Sequence, residues 1–112
     1  MIRLNLFFLC VLCILSSAEA ATINVSQGKT ATASSVWGGS SAGMAVDGTT
    51  ASGWPIYHCG AGDFNPWWQV DLGRFELIKS VVLWNRVDCC ATRLRDIVVE
   101  ILDENQFLKR IK

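Results

Sequence analysis

Apolar residues along this chain come in short runs rather than at helical spacing. Trp67 to Leu72 reads Trp-Trp-Gln-Val-Asp-Leu and stops at Gly73, Ile78 to Arg86 is dense in β-branched and aromatic residues, and Asp96 to Leu102 has the same character. Two weaker runs are Thr30 to Ser35 and Phe107 to Ile111, the latter following the polar turn Asp103-Glu104-Asn105. Runs of this length bounded by turn residues predict strands, and no apolar period near 3.6 predicts a helix. Five short strands of this kind point to an all-β sandwich or barrel. Trp67, Trp68 and Trp84 lie inside strand runs and are expected in the core. Trp37, Trp54 and Tyr57 fall in the Gly-rich stretch 36–65, and long loops in compact β domains carry binding function.

The first twenty residues follow another pattern. Arg3, the apolar run Leu6 to Leu15, Ser16-Ser17 and Ala18-Glu19-Ala20 have the layout of a secretory signal peptide cleaved after Ala20. The run of about ten residues is too short for a bilayer, which needs ~20. Residues 1–20 are therefore expected to leave, and the 92 residues 21–112 that remain hold one domain at most. A two-domain enzyme is excluded. Ten basic against ten acidic residues remove a global electrostatic case for nucleic acid or an anionic membrane surface. Of five cysteines, Cys10 and Cys13 leave with the leader, and Cys59, Cys89 and Cys90 meet an oxidising compartment. Three cannot all pair internally. Asn24-Val25-Ser26 is an N-glycosylation sequon at the new N-terminus.

Catalysis finds little support. A nucleophile needs a base within hydrogen-bond reach, and the single histidine, His58, adjoins Cys59, where neighbours in extended backbone point to opposite faces. Zinc is no better served, because Cys89 and Cys90 are adjacent rather than spaced as C-x₂-C. The segment Arg86 to Arg93, Arg-Val-Asp-Cys-Cys-Ala-Thr-Arg, is different. Two guanidinium forks flank a carboxylate, Asp88, directly after the strongest strand. A surface loop with a solvated Arg–Asp pair accounts for the charges and leaves the paired cysteines unexplained. A bridge between neighbours is strained, since Cα atoms across a trans peptide lie about 3.8 Å apart, below the usual disulfide range of ~4.4–6.8 Å. Its use would be a rigid apolar sulfur plate beside polar donors, which suits the C–H face and hydroxyls of a sugar.

That Arg-x-Asp-Cys-Cys-x-x-Arg segment resembles the signature loop of the F-type lectins, or fucolectins. Asn65 to Leu72 resembles the family's core strand, and Ala45-Val46-Asp47-Gly48-Thr49 a form shared with the wider coagulation-factor type C, or discoidin, superfamily. The resemblance covers Ile23 to Leu102. It implies a discoidin-like jelly-roll β-sandwich and a secreted, non-catalytic lectin for terminal L-fucose, with fucosylated glycans as partners and membranes reached only through them. Residue by residue, Arg86 and Arg93 fall on the sugar-binding arginines, Asp88 on the acid that orients them, and Cys89-Cys90 on a vicinal disulfide packing against the ring. The family's histidine follows the loop cysteine, whereas His58 precedes Cys59. Either His58 reaches the site from its shifted place, or the site lacks one donor. Tyr57 is the aromatic favoured to cover the sugar methyl group. Such sites bind weakly singly, so oligomers or tandem copies are expected.

The resemblance further implies a structural calcium held by the Asp47 carboxylate and the carbonyls of Met44 and Thr49, as suits a cation needing 6–8 oxygens. Two other readings compete. One is a discoidin-type adhesion or phospholipid-binding module inserting Val36-Trp37 and Phe64; the other is the binding appendage of a larger secreted glycosidase. Finally, a jelly roll has eight strands against the five runs found here, and the family pairs its loop cysteine with the last strand. The domain 21–112 is thus expected to lack its C-terminal strands and the partner of Cys59, and to aggregate or dimerise through Cys59 when isolated.

Overall fold

The computed structural model describes residues 1–5, 10–13, 22–50, 53–102 and 108–111. Among them are seven strands and two short 3-10 turns, and every strand pairing is antiparallel. The strands are β1 (Ile2–Asn5), β2 (Cys10–Cys13), β3 (Thr30–Ala33), β4 (Trp68–Asp71), β5 (Ser80–Leu83), β6 (Val98–Leu102) and β7 (Leu108–Ile111). A five-stranded sheet runs β3-β4-β1-β6-β7, and β2 pairs with β5 in a second sheet. The all-β, discoidin-like expectation holds. Each of the five apolar runs contains one strand, shorter than the run itself, because the run also supplies residues that pack outside the ladder.

Alternation along β4 builds the core. Trp68 and Val70 point inward at 2% and 0% exposure, and Leu72 continues the same parity past the strand end. The Trp68 indole Nε1 donates to the Ala42 carbonyl at 2.9 Å, tying β4 to the 3-10 turn Ala42–Val46, whose Ala45 and Val46 are buried. Ile56, Tyr57, Cys59 and Ile2 complete the cluster. Trp84 is a correction: it is 41% exposed. In β5 the inward parity belongs to Val81 and Leu83, which places Val82 and Trp84 on the outer side. Trp67 is half-buried, so Trp68 is the core tryptophan of the three.

Part of the segment read as a leader lies in these sheets. β1 fills the position between β4 and β6, with Ile2 opposite Val70 on one side and Ile101 on the other. β2 runs along β5 from Cys10 opposite Leu83 to Cys13 opposite Ser80. A short segment with apolar residues at alternate positions fits a strand position, and Ile2 is 1% exposed. Residues 6–9 and 14–21, including the cleavage position after Ala20, lie outside the described residues, as do residues 103–107.

Between β3 and β4 the chain is held by side chains. Ser34 Oγ and Ser35 Oγ both donate to Asp63 Oδ2 at 2.6 Å, and the Asn65 N–H donates to Asp63 Oδ1. These bonds hold the Asp63 carboxyl below its ordinary range. At Gly60 the two segments approach so closely that a Cβ would lie 3.2 Å from Ser35 Cβ. This cross-brace fixes the loop 53–65 against the segment 34–40.

Candidate functional site

Three loops converge on one cavity of about 330 Å³, lined by Trp37, Trp54, His58, Ala61, Arg86 and Arg93. The loop after β3 supplies Trp37, the braced loop supplies Trp54, His58 and Ala61, and the loop after β5 supplies both arginines. His58, Arg86 and Arg93, far apart in sequence, are thus brought together.

The arginine loop is internally ordered. Arg86 Nε and Nη2 donate to Asp88 Oδ1 and Oδ2 at 2.7 and 2.6 Å, a bidentate pair that fixes the plane of the guanidinium. The Arg86 side chain is only 12% exposed. This fork, helped by the Cys89 N–H at 3.0 Å, pulls the Asp88 carboxyl down to about 2. Cys89 and Cys90 are joined by a disulfide with Cα atoms 3.8 Å apart, and Cys90 sits at φ 60, a left-handed conformation uncommon outside glycine. The turn Ala91–Arg93 follows, closed by Asn85 Nδ2 donating to the Ala91 carbonyl at 2.8 Å. Asp88, Cys89 and Cys90 therefore shape the loop that carries the arginines and lie outside the cavity lining. Arg93 is exposed at its end.

His58 is held from two sides. Its backbone N–H donates to Ser40 Oγ at 2.8 Å, and its Nδ1 lies 2.6 Å from the Cys59 carbonyl. A carbonyl only accepts, so Nδ1 carries the proton that this contact needs. The Trp37 N–H donates to the His58 carbonyl at 2.8 Å, and the two rings lie 6.4 Å apart.

Tyr57 is a second correction. Its ring is in the core at 1% exposure and its hydroxyl donates to the Ser35 carbonyl at 3.3 Å, so it does not reach the cavity. Burial pushes its hydroxyl above the ordinary range. The aromatic walls are Trp37 and Trp54 instead. Their place in one cavity with His58 and the arginines depends on how distant loops meet, and the sequence marks it only by two tryptophans in a Gly-rich stretch. The Asp63 brace carries no sequence signal.

The remaining candidates lie elsewhere. Asp47 Oδ1 accepts from both the N–H and Oγ1 of Thr49 at 2.8 Å, in a turn where Gly48 takes φ +89. Met44 is half-buried in the 3-10 turn before it. Among the described residues no group of three or more His, Cys, Asp or Glu is placed to hold a metal. Asn24 Oδ1 accepts from the N–H and Oγ of Ser26, whose side chain is buried. Cys59 is a buried thiol, pushed up to about 11 by burial and by Asp63. Val36, Trp37 and Phe64 are exposed. No described helix is long and apolar enough to cross a membrane.

An antiparallel all-β scaffold that presents a polar and aromatic cavity on its loops is a discoidin-like binding domain in architecture. The family model for the NedA-like, galactose-binding domain matches residues 44–112, and the chain belongs to that family. It is similar to the fucolectin of Anguilla anguilla, 39% identical over 64 residues, which cover 55% of this chain and 40% of that protein. Fucolectin-1 of Anguilla japonica is 41% identical over 54 residues, 46% of this chain and 30% of that one. Fucolectin-4 of the same species is 42% identical over 57 residues, with 47% and 30% covered. The chain thus matches less than half the length of these curated relatives. No solved structure matches it.

Proposed function

We propose that this chain is a secreted, non-catalytic lectin whose site takes terminal L-fucose. The observation that carries this reading is the convergence of His58, Arg86 and Arg93 on one cavity beside the indole of Trp37. Guanidinium forks suit clustered ring oxygens, the His58 imidazole suits a hydroxyl, and an indole suits the apolar face and methyl group of a deoxy-sugar. The relatives named fucolectins support the same assignment. Cys89–Cys90, outside the lining, supports the site by fixing the arginine loop. Weak single sites of this kind gain useful avidity from oligomers or tandem copies.

The oxidised chain is expected to stay on fucose-agarose, to elute with free L-fucose, and to pass through a mannose column. Flow-through on fucose overturns the reading. Calcium is the second part of the proposal: Asp47 offers one carboxylate and Met44 and Thr49 their carbonyls, in a turn that also closes through Thr49. Added calcium is expected to raise the melting temperature by a few degrees, as for any ligand that binds only the folded state. An identical melt in EDTA removes calcium from the account.

A further inference from the structure

Each cysteine of the vicinal bridge holds one of the two arginines. The Cys89 N–H donates to Asp88 Oδ1 at 3.0 Å, and Asp88 in turn takes both donors of Arg86. On the other side the Cys90 carbonyl accepts from the Arg93 N–H at 3.0 Å. Cys90 itself sits at φ 60, where a residue with a Cβ is uncommon, and the bond to Cys89 ties its side chain in place there. The peptide between the two cysteines is thus the link through which Arg86 and Arg93 face one cavity. The same bridge has little part in holding the domain together. Neither cysteine belongs to the buried core cluster, and their loop lies between β5 and β6. A disulfide stabilises a fold more the longer the loop it closes, and this one joins neighbours. Cys89 is also exposed to solvent, whereas Cys59 is buried with its thiol pushed up to about 11. The sulfur open to attack is therefore in the binding loop, and Cys59 is not the thiol that attacks it.

Resting on the carbohydrate reading above, we propose that Cys89–Cys90 is a redox switch on the sugar site: an external dithiol opens the bridge, the two arginines lose their common orientation, and the ligand is released while the sheets stay folded. A thiolate of the dithiol attacks Cys89 Sγ, breaking the S–S bond and expelling Cys90 as a thiolate that takes up a proton. The second thiol of the reductant then attacks the mixed disulfide and frees Cys89. The bridge gains two electrons and two protons, and the dithiol becomes a disulfide.

Treating the full chain with dithiothreitol in the absence of denaturant tests this, with alkylation and mass mapping of residues 86–93 to report the opened bridge. Affinity for methyl α-L-fucoside, read by isothermal titration, is expected to fall at least about tenfold and to recover on reoxidation. The melting temperature is expected to drop by no more than about 3 °C. Amide exchange of Arg93 is expected to quicken about tenfold or more, with that of Val70 in β4 unchanged. The double variant Cys89→Ser, Cys90→Ser is expected to match the reduced chain and to ignore dithiothreitol. A bridge that opens with affinity and Arg93 exchange unchanged overturns the switch, as does one that opens only when the domain melts, or a serine variant that dithiothreitol still weakens. An oxidised chain that binds no fucoside overturns the carbohydrate reading instead, and Arg93 exchange then decides whether the bridge orders the arginine loop.

Discussion

Arg86→Ala is expected to abolish retention on fucose-agarose, a loss of at least about a hundredfold in affinity, with an unchanged far-UV circular dichroism spectrum. Removing it deletes a charged donor at the cavity and undoes the bidentate pair with Asp88 that orders the loop carrying both arginines. The fold is expected to survive, since an ion pair in screened surroundings contributes little to stability. A titration separates this arginine from the other. In the wild type the Asp88 carboxyl titrates at about 2 because Arg86 holds it ionised. The folded value lies below the unfolded one, so what the pair contributes is present above about 3.9 and is lost as pH falls toward 2. In Arg86→Ala the carboxyl is expected to return toward about 3.9, read by carboxyl NMR. Arg93→Ala is expected to lose retention equally and to leave that titration where it was, because Arg86 still holds Asp88. Retention by either variant with an intact spectrum removes that arginine from the site.

Trp68→Ala has the largest expected effect on stability. The side chain is 2% exposed, lies in the core cluster, and gives its indole N–H to the Ala42 carbonyl. Truncating a buried tryptophan costs about 3–5 kcal/mol, a large part of the ~5–15 kcal/mol that holds a domain together. A fall in melting temperature of roughly 15–30 °C follows for a chain of this size, and Trp68→Phe is expected to recover most of it. Trp84→Ala, on the outer side of β5, is expected to change stability by about 0.5 kcal/mol or less. Equal losses for Trp68→Ala and Trp84→Ala would show that the inward parity is misassigned.

The five strands from β3 to β7 were legible because each lies in an apolar run between turn residues, and β4 was legible to its parity, since Trp68, Val70 and Leu72 repeat every second position. Trp84 was not, because a run containing Val81, Val82, Leu83 and Trp84 is apolar on both faces, and only packing shows which face is covered. The arginine loop was readable from its own residues, as all of its ordering contacts lie within eight positions. Where His58 sits was not. Its orientation comes from Ser40, Trp37 and the brace from Asp63 to Ser34 and Ser35, contacts between segments separated by some twenty to thirty residues. Tyr57 and Trp54 illustrate the same limit: both are aromatic residues in one loop, and one closes the core while the other lines the cavity. The first residues of the chain mark a different limit. An apolar segment at the N-terminus satisfies the pattern of a leader and the pattern of a strand, and composition does not separate the two.

That ambiguity has a physical consequence. Residues 2–5 fall within the segment that has the pattern of a leader and also lie between β4 and β6 in the five-stranded sheet. Trimming after Ala20 leaves those two strands facing each other across a gap about two strand spacings wide, close to 10 Å, with rows of peptide groups aimed at nothing but solvent. The cut and this sheet cannot coexist in one molecule. The N-terminal residue of the purified protein is therefore also a report on its tertiary structure: a Met1 end goes with the sheet as described, and an Ala21 end with one whose centre has been rebuilt.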